Sequence, residues 1–522
     1  MTAEIVDGPT RPRKPPATVP TPLVAADTRP AWRAVARRSV LVPLVVLSPL
    51  VTLTPAADHR FNVYANGGQY TDHPWRLLRT AVTTVPGYLD LGNFRPLGRV
   101  VEWSLDVAAY ELTALFGLPA NIGLRLVSFA AAVLLTLSAV VFAQAVTARG
   151  RVFAAPPSVA AALLPFAVGA GLVAAGRAST TVLFGGLYFT TGALVLAVAA
   201  WACRNTRPGL PVVLAGAALA AFNELAYLAI PLATAAVLLR GRVVLGLGWR
   251  RTLRGSGGRF VALLWLGFLP VFVPVRVLIA QRCAGGGCYS GSDITLAGAP
   301  AALPNRLVSW LPPLMWQRAT GGGLPDLTAA VPVLALAVLA VLAWRAFRQL
   351  PQLSTLDRRQ SLGLAALAAV LLVLAATLAA LNAGVQAMAA GGLWGQGWRE
   401  SGLTTVAGAL LVLAVWRRFV PVLLVLLLAA GVVGAAANKD FRDAAGGGRY
   451  PYLHDRIALE IADFDRTPAG DARRCVLRAA FIQTSIVNHR GLDQWEVERF
   501  DVSVNRATRN LAGRPFCSTA PR

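Results

Sequence analysis

The sequence predicts an all-α polytopic membrane protein, crossing the bilayer about eleven times and ending in a small α+β extracytoplasmic segment. Composition is the first reason: of 522 residues 56% are hydrophobic and only 14% charged, where a soluble domain carries about 25% charged residues. The apolar residues also come in blocks separated by short charged gaps. Finally, the net charge of +24 is almost wholly arginine, with Lys14 and Lys439 the only lysines. Arginines set beside apolar spans follow the positive-inside pattern, which argues for an oriented membrane protein and against a nucleic-acid partner. Richness in Ala, Gly, Leu, Val and Arg fits a high-GC bacterial genome.

Residues 1–38, rich in Pro, Thr and Arg, read as a disordered cytoplasmic tail. Arg33, Arg37 and Arg38 precede the first apolar run, 39–55, which reads as an uncleaved anchor with the N-terminus inside. The polar interval 56–121 is then a first extracytoplasmic loop, in which 74–85 and 99–115 have the apolar content of helices lying on the membrane surface. Spans follow near 122–146, 157–176 and 180–202. The stretch 210–239 is flanked on both sides by arginines that belong inside (Arg204, Arg207, Arg240, Arg242). One span would break the alternation, so the sequence predicts two short helices of about 14 residues each, hinged at Asn223-Glu224 and sheltered by neighbouring helices. Spans at 259–280, 330–347, 361–384, 402–416 and 419–437 complete a transmembrane domain over 39–437. The remaining 438–522 form an outer minidomain, with a helix over 452–464 and a strand over 475–482.

Of the five cysteines, Cys283, Cys288, Cys475 and Cys517 fall in outer segments and Cys203 at an inner end. Two outer pairs and one inner thiol fit two disulfides in an oxidising compartment, with free thiols as the alternative.

No Walker loop, dinucleotide fingerprint, HExxH or GxSxG motif is present, and the four histidines have no metal-ligand spacing, so zinc is not expected. Chemistry is sought on the outer face. Asp58, directly after the first span, is placed to act as a general base, or simply to end a helix. Asp72 is either a second catalytic candidate or the N-cap of a helix starting at Pro74. Glu224 stands in an apolar stretch, where a carboxylate is either functional or tied to a loop amide. Arg95, Arg99, Arg276, Arg282 and Arg399 gather at the outer boundary, suited to a lipid phosphate or, singly, to headgroup snorkelling.

Three short motifs carry a family resemblance. Asn93-Phe94-Arg95-Pro96-Leu97-Gly98-Arg99 in the first outer loop, with Leu115-Phe116-Gly117-Leu118 after its helix, resembles the GT-C glycosyltransferases that use polyprenyl-phosphate sugars. The likeness is greatest to the branch related to protein O-mannosyltransferases that carry tetratricopeptide repeats. Ala221-Phe222-Asn223-Glu224-Leu225 looks like that branch's Ser-Lys-Glu hinge with Asn for Lys, and Gly397-Trp398-Arg399-Glu400-Ser401 like its late Arg-aromatic step. The likeness spans roughly residues 40–437. It implies a polyprenyl-phosphate-linked donor, an extracytoplasmic glycan, lipid or protein acceptor, and an essential acid in the first loop, carried onto Asp58 with Asp72 in reserve. A divalent ion such as magnesium or manganese would be compatible but no spacing demands one. Many relatives have a paired Asp-Asp where this chain has Asp58-His59, and the repeats are absent.

The leading expectation is thus a plasma-membrane glycosyltransferase. A transporter or lipid flippase is the alternative, disfavoured because the spans are nearly free of ionisable residues and the first loop has no counterpart in the second half. An inactive GT-C-like scaffold, binding envelope partners through its C-terminal segment, is the third.

Overall fold

The computed structural model describes residues 28–53, 59–116, 120–150, 152–204, 208–284, 288, 294–446, 453–488, 501, 504–509 and 511–519. Outside helices and turns, these residues form only two isolated β-bridges, Ser158 with Ser354 and Ile294 with Asn382.

Helix α1 spans Arg29–Leu47. It starts within the predicted tail, so residues 29–38 are helical and not disordered. Pro30 in the first turn favours the start, and Trp32 anchors it by donating its indole N–H to the Ala155 carbonyl and stacking edge-on against Phe153. The first loop folds as α2 (His59–Tyr70), α3 (Pro74–Thr83), α4 (Val85–Asp90) and α5 (Pro96–Phe116). The bundle continues with α6 (Ala120–Thr147), α7 (Val159–Ala170), α8 (Gly185–Ala202), α9 (Leu210–Ala220) and α10 (Ala229–Leu239). Then come α11 (Trp249–Arg254), α12 (Ser256–Cys283), α13 (Ala299–Val308), α14 (Pro312–Ala319) and α15 (Ala330–Gln349). The chain closes with α16 (Arg358–Ala380), α17 (Ala383–Ala390), α18 (Ser401–Val415), α19 (Val420–Gly446), α20 (Leu453–Ala462) and α21 (Pro468–Asn488).

Among the described residues seven helices are long and apolar enough to cross a membrane: Ile122–Thr147, Gly185–Ala202, Glu224–Val244, Ser256–Cys283, Ala330–Gln352, Arg358–Ala380 and Val420–Ala445. Three shorter apolar helices, Val159–Ala170, Leu210–Ala220 and Ser401–Val415, lie among them. The protein is therefore an all-α, membrane-type bundle. The short α7 has a physical reason. After it the chain runs irregularly from 171 to 184, sheltered inside the bundle, where loose backbone at membrane depth is tolerated if its polar groups are paired. Asn438 does much of that pairing: its amide oxygen accepts from Ala174 N–H and its nitrogen donates to the Val46 and Leu172 carbonyls. Held this way, Asn438 also lets α19 run on to Gly446, past the domain boundary predicted at 437.

The hinge predicted at Asn223-Glu224 is present. Helix α9 stops at Ala220, Asn223 caps the following turn by accepting from Ala226 N–H at 3.0 Å, and a continuous coil runs back from Glu224 to Val244. The returning arm is longer than predicted because Arg240 does not end it. Its guanidinium donates to the Ala145 and Ala148 carbonyls at the end of α6, at 3.0 and 2.8 Å. Arm α9 lies close against α12, and a Cβ on Gly216 would sit 2.2 Å from the Leu264 carbonyl oxygen, so only glycine fits.

The C-terminal segment departs from expectation. Residues 475–482, predicted as a strand, lie inside helix α21. Arg474, Leu477 and Phe481, three and four residues apart, are buried while Ala479 between the last two is exposed, a spacing that fits one helical face and not the alternation of a strand. No strand occurs among the segment's described residues, so the α+β expectation is corrected to helical there. Nor do the segment's described residues form a core of their own. Ile457, Ile461, Leu477, Phe481, Val504 and Phe516 share one apolar cluster with Val63, Ala109, Tyr110 and Leu124 of the first loop and α6. Disulfides join Cys283 to Cys288 and Cys475 to Cys517, and Cys203 is a buried free thiol.

Candidate functional site

The two stretches that carry the sequence motifs dock on each other. Leu97 N–H donates to the Ala221 carbonyl at 3.0 Å, and a Cβ added to Gly98 would meet the Phe222 carbonyl oxygen at 2.1 Å. Glycine at 98 is thus what allows the start of α5 to rest on the α9–α10 hinge. This contact sets Arg95, Arg99 and Glu102 beside Glu224.

Four elements supply the charged groups. Arg95, just before α5, lies 3.7 Å from Glu102. Arg276 of α12 lies 3.8 Å from Glu224 and donates to the Tyr227 hydroxyl at 3.1 Å. Arg399 rests over the rings of Tyr188 and Trp398. Tyr188 in turn is within electrostatic reach of Arg399, Arg95, Glu102 and Glu224 together, which places all four around one point. Arg99 lies over the Tyr88 ring, and burial pulls its guanidinium down to about 10, partly opposed by Tyr88, so it stays cationic at neutral pH. A cleft beside this group is lined by Tyr188, Glu224, Leu225, Leu378, Trp398 and Arg399, an apolar wall with charge at its rim.

The site lies at one end of the bundle. Gly257, at the start of α12, packs against Val237 and the Ala202 carbonyl. Arg276 is about five turns, or about 28 Å, further along the same helix. Arg149, Arg204 and Arg240 surround the opposite end near Ala145.

Of the residues singled out in the sequence, Arg95, Arg99, Glu224, Arg276 and Arg399 come together. Asp72 does not. Helices α2 and α5 run parallel, with Asn66 donating to Asp106 and Thr71 to Glu111, each at 2.7 Å. Asp72 therefore sits at the Glu111 end of α5, about 18 Å from Arg99 by helix rise. There it is ion-paired with Arg506 of the C-terminal segment. Nor does Asp72 cap α3, whose N-cap is His73 and receives no side-chain hydrogen bond. Asp58 lies outside the described residues.

Two charged neighbours of these residues escaped the sequence reading. Glu102 is 7% exposed, and its Oε2 accepts no hydrogen bond. Its position three residues after Arg99 and seven after Arg95 puts all three on one helical face, a pattern the sequence does contain. Glu400, next to Arg399, is buried against Arg306, whose Nε donates to it at 3.1 Å while Nη1 donates to the Gln396 carbonyl at 2.7 Å.

A divalent ion is not well served here. Among the described residues no three His, Cys, Asp or Glu side chains converge, and Glu102 and Glu224 each face an arginine. No step below runs through a metal. No protein-family model, curated protein or solved structure matches the chain.

Proposed function

We propose that this protein is a multi-pass glycosyltransferase, of about eleven spans, that moves a sugar from a polyprenyl-phosphate donor to an extracytoplasmic glycan, lipid or protein acceptor. The observation that carries this reading is the convergence of Arg95, Arg99, Arg276 and Arg399 on one end of an apolar bundle, beside a cleft walled by Leu225, Leu378 and Trp398. A lipid-linked sugar phosphate has the same division, an apolar tail and a compact anion.

In this mechanism the arginines hold the donor phosphate by charge-assisted hydrogen bonds. A carboxylate takes the proton from the acceptor hydroxyl, its oxygen bonds to the anomeric carbon, and the bond from that carbon to the phosphate oxygen breaks. The leaving lipid phosphate keeps the electron pair, and its growing charge is met by guanidiniums already in place, which is where preorganised electrostatics act. Asp58 is the base the resemblance implies, and Glu102 is the carboxylate the site geometry adds. Active site and C-terminus are read as extracytoplasmic, since the arginine-rich loops lie at the other end.

The test is release of polyprenyl phosphate from radiolabelled lipid-linked hexoses and pentoses, using purified protein, Asp58→Ala, Glu102→Gln and Asp72→Ala. Turnover abolished in Asp58→Ala or Glu102→Gln and retained in Asp72→Ala supports the reading and names the base. Absence of both binding and turnover with every donor overturns it.

A further inference from the structure

A second cavity lies at the opposite end of the bundle. It holds about 660 Å³ and is walled by Val152, Phe153 and Cys203, with Arg149, Arg204 and Arg240 around it. The three arginines come from three separate places: the residues just after α6, the residues just after α8, and the end of α10. Among the described residues that line it there is no carboxylate. Arg149 has an ion-pair partner outside the lining, Asp357. Arg240 spends Nε and Nη2 on the Ala145 and Ala148 carbonyls, and its Nη1 makes no hydrogen bond to the described residues. Arg204 is exposed, and its side chain makes no hydrogen bond or ion pair to the described residues.

Arginines that serve only to orient a span stand on its rim and face water. Here three are gathered round a concave space large enough for a phosphate group, and two of them keep donors unspent. Helix α6 ends here, and its terminal carbonyls would repel an anion. Arg240 satisfies those carbonyls and removes that objection. We infer that this cavity binds a phosphate group, the chemistry shared by anionic lipid headgroups and free phosphate. The setting between helix ends is where basic pockets take lipid headgroups. The site is separate from the proposed donor site, which lies at the other end of α12, and does not depend on it.

Native mass spectrometry of the purified full-length protein tests this directly. Protein is mixed with equimolar phosphatidylglycerol and phosphatidylcholine, and separately with inorganic phosphate. Wild type should retain phosphatidylglycerol several-fold over phosphatidylcholine, and Arg204→Ala should cut that preference about fivefold, the effect of one surface cation. Arg276→Ala, at the far end, should leave it intact. Retention of inorganic phosphate without lipid preference, lost in Arg204→Ala, assigns the same site to a soluble source. No anion retained by wild type, or a preference that Arg204→Ala and Arg204→Glu both leave unchanged, overturns the proposal. Arg204 is exposed, so neither variant disturbs the core.

Discussion

Arg276 lies 3.8 Å from Glu224 and hydrogen-bonds Tyr227, so a charge from α12 and one from the α9–α10 hinge meet at the rim of the cleft. A guanidinium held against a carboxylate and a phenol is fixed in place before any substrate arrives. Arg276→Ala removes a charge-assisted contact worth about 1.5–3 kcal/mol. Donor turnover should fall about ten- to a hundredfold, with much of the loss in KM, as measured by polyprenyl-phosphate release. Arg276→Lys keeps the charge but not the fork, and should recover only part.

Gly98 offers a sharper test of how the site is assembled. Its Cα rests on the Phe222 carbonyl, and that oxygen belongs to backbone that cannot swing aside. Gly98→Ala should therefore cost about 1–3 kcal/mol by forcing the two stretches apart. Thermal melting should show the loss. Turnover should fall further than stability, because Arg95 and Glu102 move away from Glu224. A variant that melts and turns over like wild type would show that the docking is not needed.

Arg306 and Glu400 are 1% and 2% exposed, and each is the other's charge partner. Removing one end strands a buried charge, at about 3–5 kcal/mol. Glu400→Leu or Arg306→Met alone should lower the melting temperature by many degrees. The double variant should recover most of the loss, since a matched apolar pair of similar volume removes both charges at once. A double variant as unstable as the sum of the two would contradict this account.

The C-terminal segment should carry an acid-sensitive element. Asp465 accepts from Thr467 N–H at 2.9 Å and from Arg473 at 2.8 Å. These bonds, the Thr467 backbone bond first, hold its carboxyl down to about 2. A depressed folded value means stabilisation fully present above the unfolded value of about 4 and lost as pH falls towards 2. Asp465→Asn should thus melt below wild type at pH 7, and the gap should close between pH 4 and pH 2. A gap independent of pH would remove the carboxylate from the explanation.

The bundle was largely legible because apolar blocks and arginine placement act locally in the sequence. Arg204 and Arg240 on either side of one apolar stretch were enough to demand a hinge, and Ala220 and Glu224 bracket it. The site arginines were legible as a boundary set, though not their carboxylate partners. Glu102 had a readable signal in its spacing from Arg95 and Arg99. The Arg306–Glu400 pair had none, because 94 residues separate its members and only the fold brings them together. The run from Cys475 to Ile482 is apolar at a length where strand and helix look alike. What decides it is the packing of Leu477 and Phe481 on a first-loop surface that sequence periodicity cannot see.

That shared cluster sets an order of events during synthesis. Val63, Ala109 and Tyr110 emerge early, while Ile457, Phe481 and Phe516, which cover them, are made nearly last. At about 5–20 residues per second, the interval is on the order of tens of seconds. In the orientation proposed above, the first loop carries throughout that interval an uncovered apolar face on the far side of the membrane from the ribosome. A chaperone in that compartment would meet this face on every nascent chain. A stop codon placed before Leu453 would leave it bare for good, with every candidate membrane span already made.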